Sequence, residues 1–386
     1  MIVYAESWSA RLLIFMLHCT VAQKRVLVAP LDWGYGHATR CIPLVEELIR
    51  QGAAVVLAGP RGVREIILQR FPFLEEADLP PYNIKYSLRF PAWLSVAAAA
   101  PRILGVIRNE YNTLKKIVAD YGINGIISDN RYGLYHEQVP SVLLTHQLNP
   151  AIPSGIIWLE GFFHKQIHHF AGRFSEVWIP DIAPNTARFP FGTVSGKLSY
   201  PLPENIKVKY TGILSRFNAA EPISSDDGNL YDLAVVASGP SPRREEFIRV
   251  AYRWVMQQRI RAVWLIPDAA GSDVLNNGRQ PLFIGSDDEA FLRVIAKSSM
   301  ILSRSGYSSV SDWITLGRNA LLMPTPGQTE QEYLAEHLSG YLGFRAVKQN
   351  MLDMMDWEMA DLRMPDRHFY RNDSLSQLIS AFLQNC

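Results

Sequence analysis

Cysteine is scarce in this chain. Cys19, Cys41 and Cys386 are the only three in 386 residues, and none stands in a CxxC spacing. That argues against a zinc site and for a reducing compartment, so a cytoplasmic protein is expected. No charge sign dominates. Lys and Arg total 38, Asp and Glu 37, for a net charge of +1, which gives no reason to expect nucleic-acid binding. No apolar run is long enough to cross a bilayer; the nearest, Arg11 to Ala22, is too short. Arg11 and the small residues after that run give it the look of a weak signal peptide. Glu6 and the lack of an early basic cluster oppose this. Residues 1–23 are read as an N-terminal extension outside the fold, with a start at Met16 as an alternative. No repeat with a period of about 20–50 residues is present.

Two further absences concern chemistry. The loop Asp32-Trp-Gly-Tyr-Gly-His-Ala-Thr-Arg40 follows the apolar run Lys24–Pro30 and opens a helix with Ile42, Val45, Leu48 and Ile49 at helical spacing. Ala54–Ala58 completes a βαβ unit. Gly34 and Gly36 start a dinucleotide fingerprint, but Thr39 stands where its third glycine belongs, and the second strand ends in Ala58-Gly59-Pro60-Arg61 with no acid for a ribose. NAD binding is therefore not expected. Nor does a DxD stand at a strand end. Asp226-Asp227 and Asp287-Asp288 read as loop and helix-start acids, and His168-His169 lack partners at metal spacing, so no metal site is expected.

What is present is globular: 48% hydrophobic and 19% charged residues, over a length that suits two α/β domains. Strands are expected at Tyr82–Ser87, Ile123–Asp129, Ser141–His146, Val177–Pro180 and Ile206–Gly212. The Ile123 run ends in Asp129-Asn130-Arg131 and the Ser141 run in His146-Gln147-Leu148-Asn149. Both bring polar groups to the sheet edge that carries the Gly34–His37 loop, which marks a site. His37 begins a helix, where imidazolium is disfavoured, so it is suited to accept a proton, with Asp129 as its partner. Contact with an acceptor phosphate and simple helix capping stay open as alternatives. Trp93–Ile107 is expected to pack in the core; a membrane- or lipid-facing surface is the other reading, and Trp158–His169 shares that ambiguity.

The second half starts at Tyr231–Ala237 and the loop Ser238-Gly239-Pro-Ser-Pro-Arg243-Arg244. Ile301–Tyr333 then reads as strand, turn, helix, strand, loop, helix. Polar residues gather where strands end, which is where ligands bind in open α/β sheets. Arg304-Ser305-Gly306 offers N–H groups at a helix start beside a fixed charge, which suits a diphosphate. Asp312 is placed to accept from ribose hydroxyls, and Gln331 and Glu332 to read a sugar.

This stretch resembles the donor half of GT-B glycosyltransferases, family 28 in particular. The carriers are Ser303-Arg304-Ser305-Gly306, the acid at 312, the proline-ended strand and Gln331-Glu332-Tyr333. Glu332 replaces a glutamine and Tyr307 a small residue. Gly34-Tyr-Gly-His37 is similar to the family's N-domain turn, and His146-Gln-Leu-Asn149 to its HEQN segment. The His37–Asp129 pair is similar to one in plant-type GT-B transferases.

The resemblance implies two Rossmann-like domains facing a cleft. It implies an acceptor domain over 24–215, a donor domain over 216–367, and a terminal helix, 368–386, crossing back. It assigns Ser238, Gly239, Arg243 and Ile284 to a nucleotide-sugar, UDP-linked, and Gly34, Gly36, Asn130, His146, Gln147 and Asn149 to a lipid-linked or glycan acceptor. The implied reaction is inverting and metal-independent, needs no cofactor beyond the nucleotide-sugar, and takes place at the inner face of the membrane. A GT-B sugar-nucleotide 2-epimerase and a non-catalytic GT-B binding subunit are the rival readings.

Overall fold

The computed structural model describes residues 23–84, 92–184, 193–218, 229–267, 275, 282–284, 287–356 and 374–386. The N-terminal extension to residue 22 lies outside them.

Apolar runs too short for helices, such as Val26-Leu-Val-Ala29, Ile126-Ile127 and Val142-Leu-Leu144, form strands buried on both faces. Seven parallel strands make the first sheet, in the order β3-β2-β1-β4-β5-β6-β7. They are β1 (Arg25–Ala29), β2 (Ala54–Ala58), β3 (Glu75–Ala77), β4 (Gly125–Asp129), β5 (Ser141–Leu144), β6 (Glu176–Ile179) and β7 (Val208–Tyr210). Between them run helices α1 (Tyr35–Arg50), α2 (Arg61–Leu68), α3 (Ala92–Tyr121) and α4 (Glu160–Ala171). The second sheet has six parallel strands, ordered β10-β9-β8-β11-β12-β13. These are β8 (Tyr231–Val236), β9 (Ala262–Ile266), β10 (Leu282–Ile284), β11 (Ser298–Ser303), β12 (Ala320–Leu322) and β13 (Phe344–Ala346). Helices α5 (Arg243–Gln258), α6 (Asp288–Ala296), α7 (Tyr307–Leu316) and α8 (Thr329–Leu338) connect them.

Two expectations change here. The third strand is Glu75–Ala77, not Tyr82–Ser87: residues 82–84 carry no strand, and 85–87 lie outside the described residues. An edge strand of three residues, two of them glutamates, has no apolar alternation to betray it. Trp93–Ile107 is not core either. Leu104 is 55% exposed, Trp93 and Leu94 are half-buried, and among the described side chains of this stretch Ile107 is the one that is buried.

The last helix, α9 (Ser374–Asn385), returns to the first sheet. Ile379 and Phe382 join the cluster formed by Leu44, Leu48 and Trp178. Gly125 makes room for it, since a Cβ there would stand 2.7 Å from the Phe382 ring.

In each sheet the chain reverses its winding between two neighbouring strands: β1 and β4 in the first, β8 and β11 in the second. A crevice opens outside the carboxyl ends of such strands. The two crevices meet. Ser308 Oγ donates to the Gly36 carbonyl at 2.8 Å, and Tyr307 Oη donates to the Pro180 carbonyl at 2.6 Å.

Candidate active site

The loop after β1 delivers Gly34 with φ +133°, a backbone state open to glycine, and α1 starts at the next residue. Gly36 is glycine for another reason: a Cβ would sit 2.8 Å from Ser308 Oγ, so a side chain there would push the two units apart. His37 follows. Its Nδ1 lies 3.0 Å from Asp129 Oδ2 at the end of β4, the pairing expected from the sequence. Its side chain is 18% exposed while that of Asp129 is fully buried, so of the pair the ring is the one that reaches the cleft.

The residue that sequence reading missed is Arg40, one turn further along α1 and 2% exposed. Its Nε donates to Asp129 Oδ2 at 3.0 Å and its Nη2 donates to Oδ1. Nη1 lies 3.0 Å from His146 Nδ1, and Nη2 lies 2.7 Å from His37 Nδ1. Burial works to raise the Asp129 carboxyl, but Arg40 and then His37 outweigh it and hold it at about 2. Asp129 is thus an anion at any working pH.

Glu330 was also missed. It stands in the first turn of α8, beside the two residues singled out from sequence, and crosses the cleft to His146 Nε2 at 2.9 Å. Burial lowers the His146 imidazole against the pull of Glu330, and Glu330 is lowered because His146 offsets its burial. Both directions fit a neutral ring donating to a carboxylate. Tyr307 stacks on the same ring with centroids 3.8 Å apart, which gives the bulky residue at that position a packing role. The signal for both was register: a helix start that carries one ligand-facing residue presents its neighbours to the same cleft.

On the acceptor side, Gln147 lies 3.0 Å from His146 Nε2. Asn130 adopts φ +53° and leaves its buried Oδ1 without a hydrogen-bond partner, a strained and unsatisfied residue of the kind found at ligand sites. Asn149 is placed differently. Its amide donates to the Pro201 carbonyl at 2.9 Å and its Oδ1 faces His168 at 3.0 Å, so both ends serve the loop.

On the donor side, Ser305, Gly306 and Gln331 come together. Ser305 Oγ donates to the Gln331 carbonyl at 2.7 Å, and Gly306 is the N-cap of α7. Ser238 and Gly239 follow β8, with Gly239 at φ +95°. Ile284 ends β10 at the sheet edge. Glu332 turns back to the loop and accepts from the Gly327 N–H at 2.8 Å.

Two donor-side expectations, Arg304 and Asp312, need correction. Arg304 does not present its guanidinium to the cleft. It is 3% exposed and donates to the carbonyls of Met323, Pro324 and Arg243 and to Gln349 Oε1 at 2.9–3.3 Å. Burial drops it to about 9, and its geometry is that of a clamp joining three loops. Arg243 pairs with Glu246 at 3.2 Å. Asp312 points away from the cleft: Oδ1 accepts from Ser215 Oγ at 2.6 Å and Oδ2 faces Arg216 at 3.6 Å. Sequence gives the strand-end position of these residues but not the direction of their side chains.

Asp312 carries a pH signature. Burial pushes its carboxyl up to about 6, with Arg216 and Ser215 opposing. The folded chain therefore holds this proton longer than the unfolded one, and stability falls as pH rises from about 4 to about 6. Asp312→Asn removes that loss. Its stability relative to the parent should rise over the same window and level off above it, as read by denaturant titration at several pH values. A pH-independent difference would show a solvated carboxylate.

Solved structures share this fold. Arabidopsis thaliana UGT89C1 superposes with a TM-score of 0.62 at 14% identity, covering 94% of this chain and 100% of that one. MurG of Acinetobacter baumannii gives 0.54 at 12%, covering 94% and 99%. The fold is GT-B. Phytolacca americana UGT2, solved with UDP-2-fluoroglucose and pterostilbene, gives 0.57 at 13%, covering 94% of each chain. No protein-family model and no curated protein matches the sequence. In GT-B terms, the sheet of β1–β7 is one Rossmann-like unit and that of β8–β13 the other. Among the described residues no helix is long and apolar enough to cross a membrane.

Proposed function

We propose that this protein is a glycosyltransferase that moves a sugar from a UDP-linked donor to a hydroxyl acceptor with inversion. One observation carries the reading: the His37–Asp129 pair, at the winding reversal of the first sheet, faces the Gly306 helix start of the second across the cleft. UGT89C1 has also been solved with UDP-L-rhamnose, which supports a donor of that class. The acceptor oxygen attacks the anomeric carbon as the bond to the diphosphate oxygen breaks. The acceptor proton passes to His37 Nε2, and the electron pair leaves with the diphosphate. In this reading N–H groups at the start of α7 and in the Ser238–Gly239 loop meet that charge, in a metal-independent step.

The test is a thermal-shift panel of nucleotide-sugars, because a ligand that binds only the native state raises its melting temperature. It is followed by acceptor-dependent release of UDP. Isomerised sugar without free UDP would turn the reading to an epimerase, and binding without turnover to a non-catalytic subunit.

An amphipathic, lipid-linked acceptor belongs to the same proposal. A groove of about 450 Å³ runs between α3 and α4, lined by Leu104, Tyr111, Tyr135 and Phe170 with Arg108 and Arg173. Earlier in the same segment, at and just before the start of α4, Trp158 is 77% and Phe162 57% exposed. Exposed apolar side chains next to cations suit an anionic bilayer surface. The protein should float with vesicles containing phosphatidylglycerol and not with pure phosphatidylcholine, and the double change Trp158→Ser, Phe162→Ser should lower the bound fraction several-fold. No flotation of the parent protein on either vesicle would remove the membrane from the proposal.

A further inference from the structure

A histidine that acts as base through Nε2 must keep its ring proton on Nδ1, where a carboxylate can hold it. Asp129 is in place for that at 3.0 Å. Arg40 Nη2, however, is nearer to the same nitrogen, at 2.7 Å. A guanidinium only donates, and it stays charged throughout the range of enzymes. An N–H on Nδ1 would thus meet an N–H of Arg40 head on at that separation.

The guanidinium's own hydrogens resolve the conflict. Nε–H serves Asp129 Oδ2. One Nη2 hydrogen serves Asp129 Oδ1, and the other faces His37 Nδ1. Nη1 serves His146 Nδ1 in the same way at 3.0 Å, which leaves the His146 proton on Nε2, where Glu330 accepts it at 2.9 Å. Each Arg40 hydrogen that faces the two rings and Asp129 then has an acceptor, with both rings neutral and both protonated at Nε2; the Gln147 amide, 3.0 Å from His146 Nε2, meets that N–H with its oxygen, and His37 Nε2–H is left to the cleft. Asp129 lacks nothing, since both its oxygens are served by Arg40 and Cys41 Sγ lies 3.8 Å from Oδ2.

We infer that Arg40 is the positioning residue that sets the proton on His37, holding Nδ1 bare and presenting Nε2–H to the cleft while the site is empty. His37 meets its first ligand as a hydrogen-bond donor, suited to an anionic or carbonyl oxygen. It becomes a base only when Nδ1 leaves Arg40 and the ring changes tautomer, giving its Nε2 proton to water and taking one from water at Nδ1, where the Asp129 carboxylate accepts the new N–H. Arg40 thereby keeps the base off until the site is occupied. The structural assignment stands on the cluster alone; its consequence for turnover rests on the transfer reading above.

The experiment is a two-bond proton–nitrogen correlation spectrum of the full chain labelled with 15N-histidine at neutral pH, with His37→Gln to assign the signal. The expected pattern is neutral imidazole with protonated Nε2 and bare Nδ1. A protonated Nδ1, alone or together with Nε2, would overturn the inference without any variant. Arg40→Lys keeps a cation beside Asp129 but cannot fork to Nδ1 as well, and it should move His37 to the Nδ1–H form while the other histidine signals outside the cluster stay put. An unchanged Nε2–H signal in that variant would deny Arg40 the role. Because the spectrum needs no substrate, it separates the two readings: turnover with Nδ1–H in the empty site sinks this inference alone, and Nε2–H with no turnover sinks the transferase alone.

Discussion

His37→Ala is expected to lower kcat by about 10²–10⁴-fold while leaving UDP affinity unchanged. A sugar hydroxyl is a poor nucleophile at neutral pH, so the displacement gains most from a base held at the attacking oxygen. Of the titratable groups that the first sheet brings to the cluster, His37 is the one placed for this; Glu330, from the second unit, is engaged by His146 at 2.9 Å. Asp129 is fully buried and doubly bonded to Arg40, and His146 is 3% exposed between Arg40, Glu330 and the Tyr307 ring. The donor-side groups all lie on the second sheet and its loops, so removing an imidazole from α1 leaves them intact. Steady-state rates and UDP calorimetry on the same preparation separate the effects. A kcat within a few-fold of the parent would exclude the base role. A matching loss of UDP affinity would place His37 on the diphosphate instead.

Arg131→Met should destabilise the protein by about 3–5 kcal/mol, the usual loss on breaking a buried ion pair from one side. Arg131 and Glu110 are both fully buried and meet at 2.7 Å. Burial raises the Glu110 carboxyl despite Arg131, Tyr82 and the Gly133 N–H, so it is already strained toward its neutral form. Without the guanidinium it would be left facing Tyr82 and that N–H, at 3.0 and 3.1 Å. Arg131 also donates to the carbonyls of Pro30 and Pro80. It therefore ties the loop that leads to Gly34 and His37 to helix α3. Denaturant unfolding measures the loss, and Arg131→Met combined with Glu110→Gln should recover part of it because the Glu110 charge is then not stranded, although Asp32, 3.4 Å from Arg131, still loses its partner. If the single variant loses less than about 1 kcal/mol, the pair is hydrated in solution.

How much was legible follows from the range of each interaction. Strand runs such as Val26–Ala29 and Leu233–Val236 are buried on both faces, and that alone makes them continuous apolar stretches. Helix periodicity and Gly317 at φ +64° likewise set the ends of α7 from local preference. Alternating strands and helices then leave a doubly wound sheet as the natural packing, with polar strand ends along one edge. The pairing of His37 with Asp129 was within reach because both stand at such ends, on neighbouring strands.

What the chain could not declare depends on groups far apart in sequence. Arg304 reads as a phosphate ligand by position, yet three loops converge on it and engage both terminal nitrogens of its guanidinium. Asp312 reads as a ribose contact, yet it is held by Ser215 and Arg216. Arg40 looks like one more basic residue on a helix until Asp129 and His146 close around it from β4 and β5. The sequence by itself determined the buried elements, their winding and the edge where the site lies, though not the short edge strand β3, because those follow from propensity and burial within a dozen residues. Only the tertiary structure decided which charged side chains face the cleft and which hold it together, because a buried charge goes wherever its partners are, and those partners are supplied by the fold.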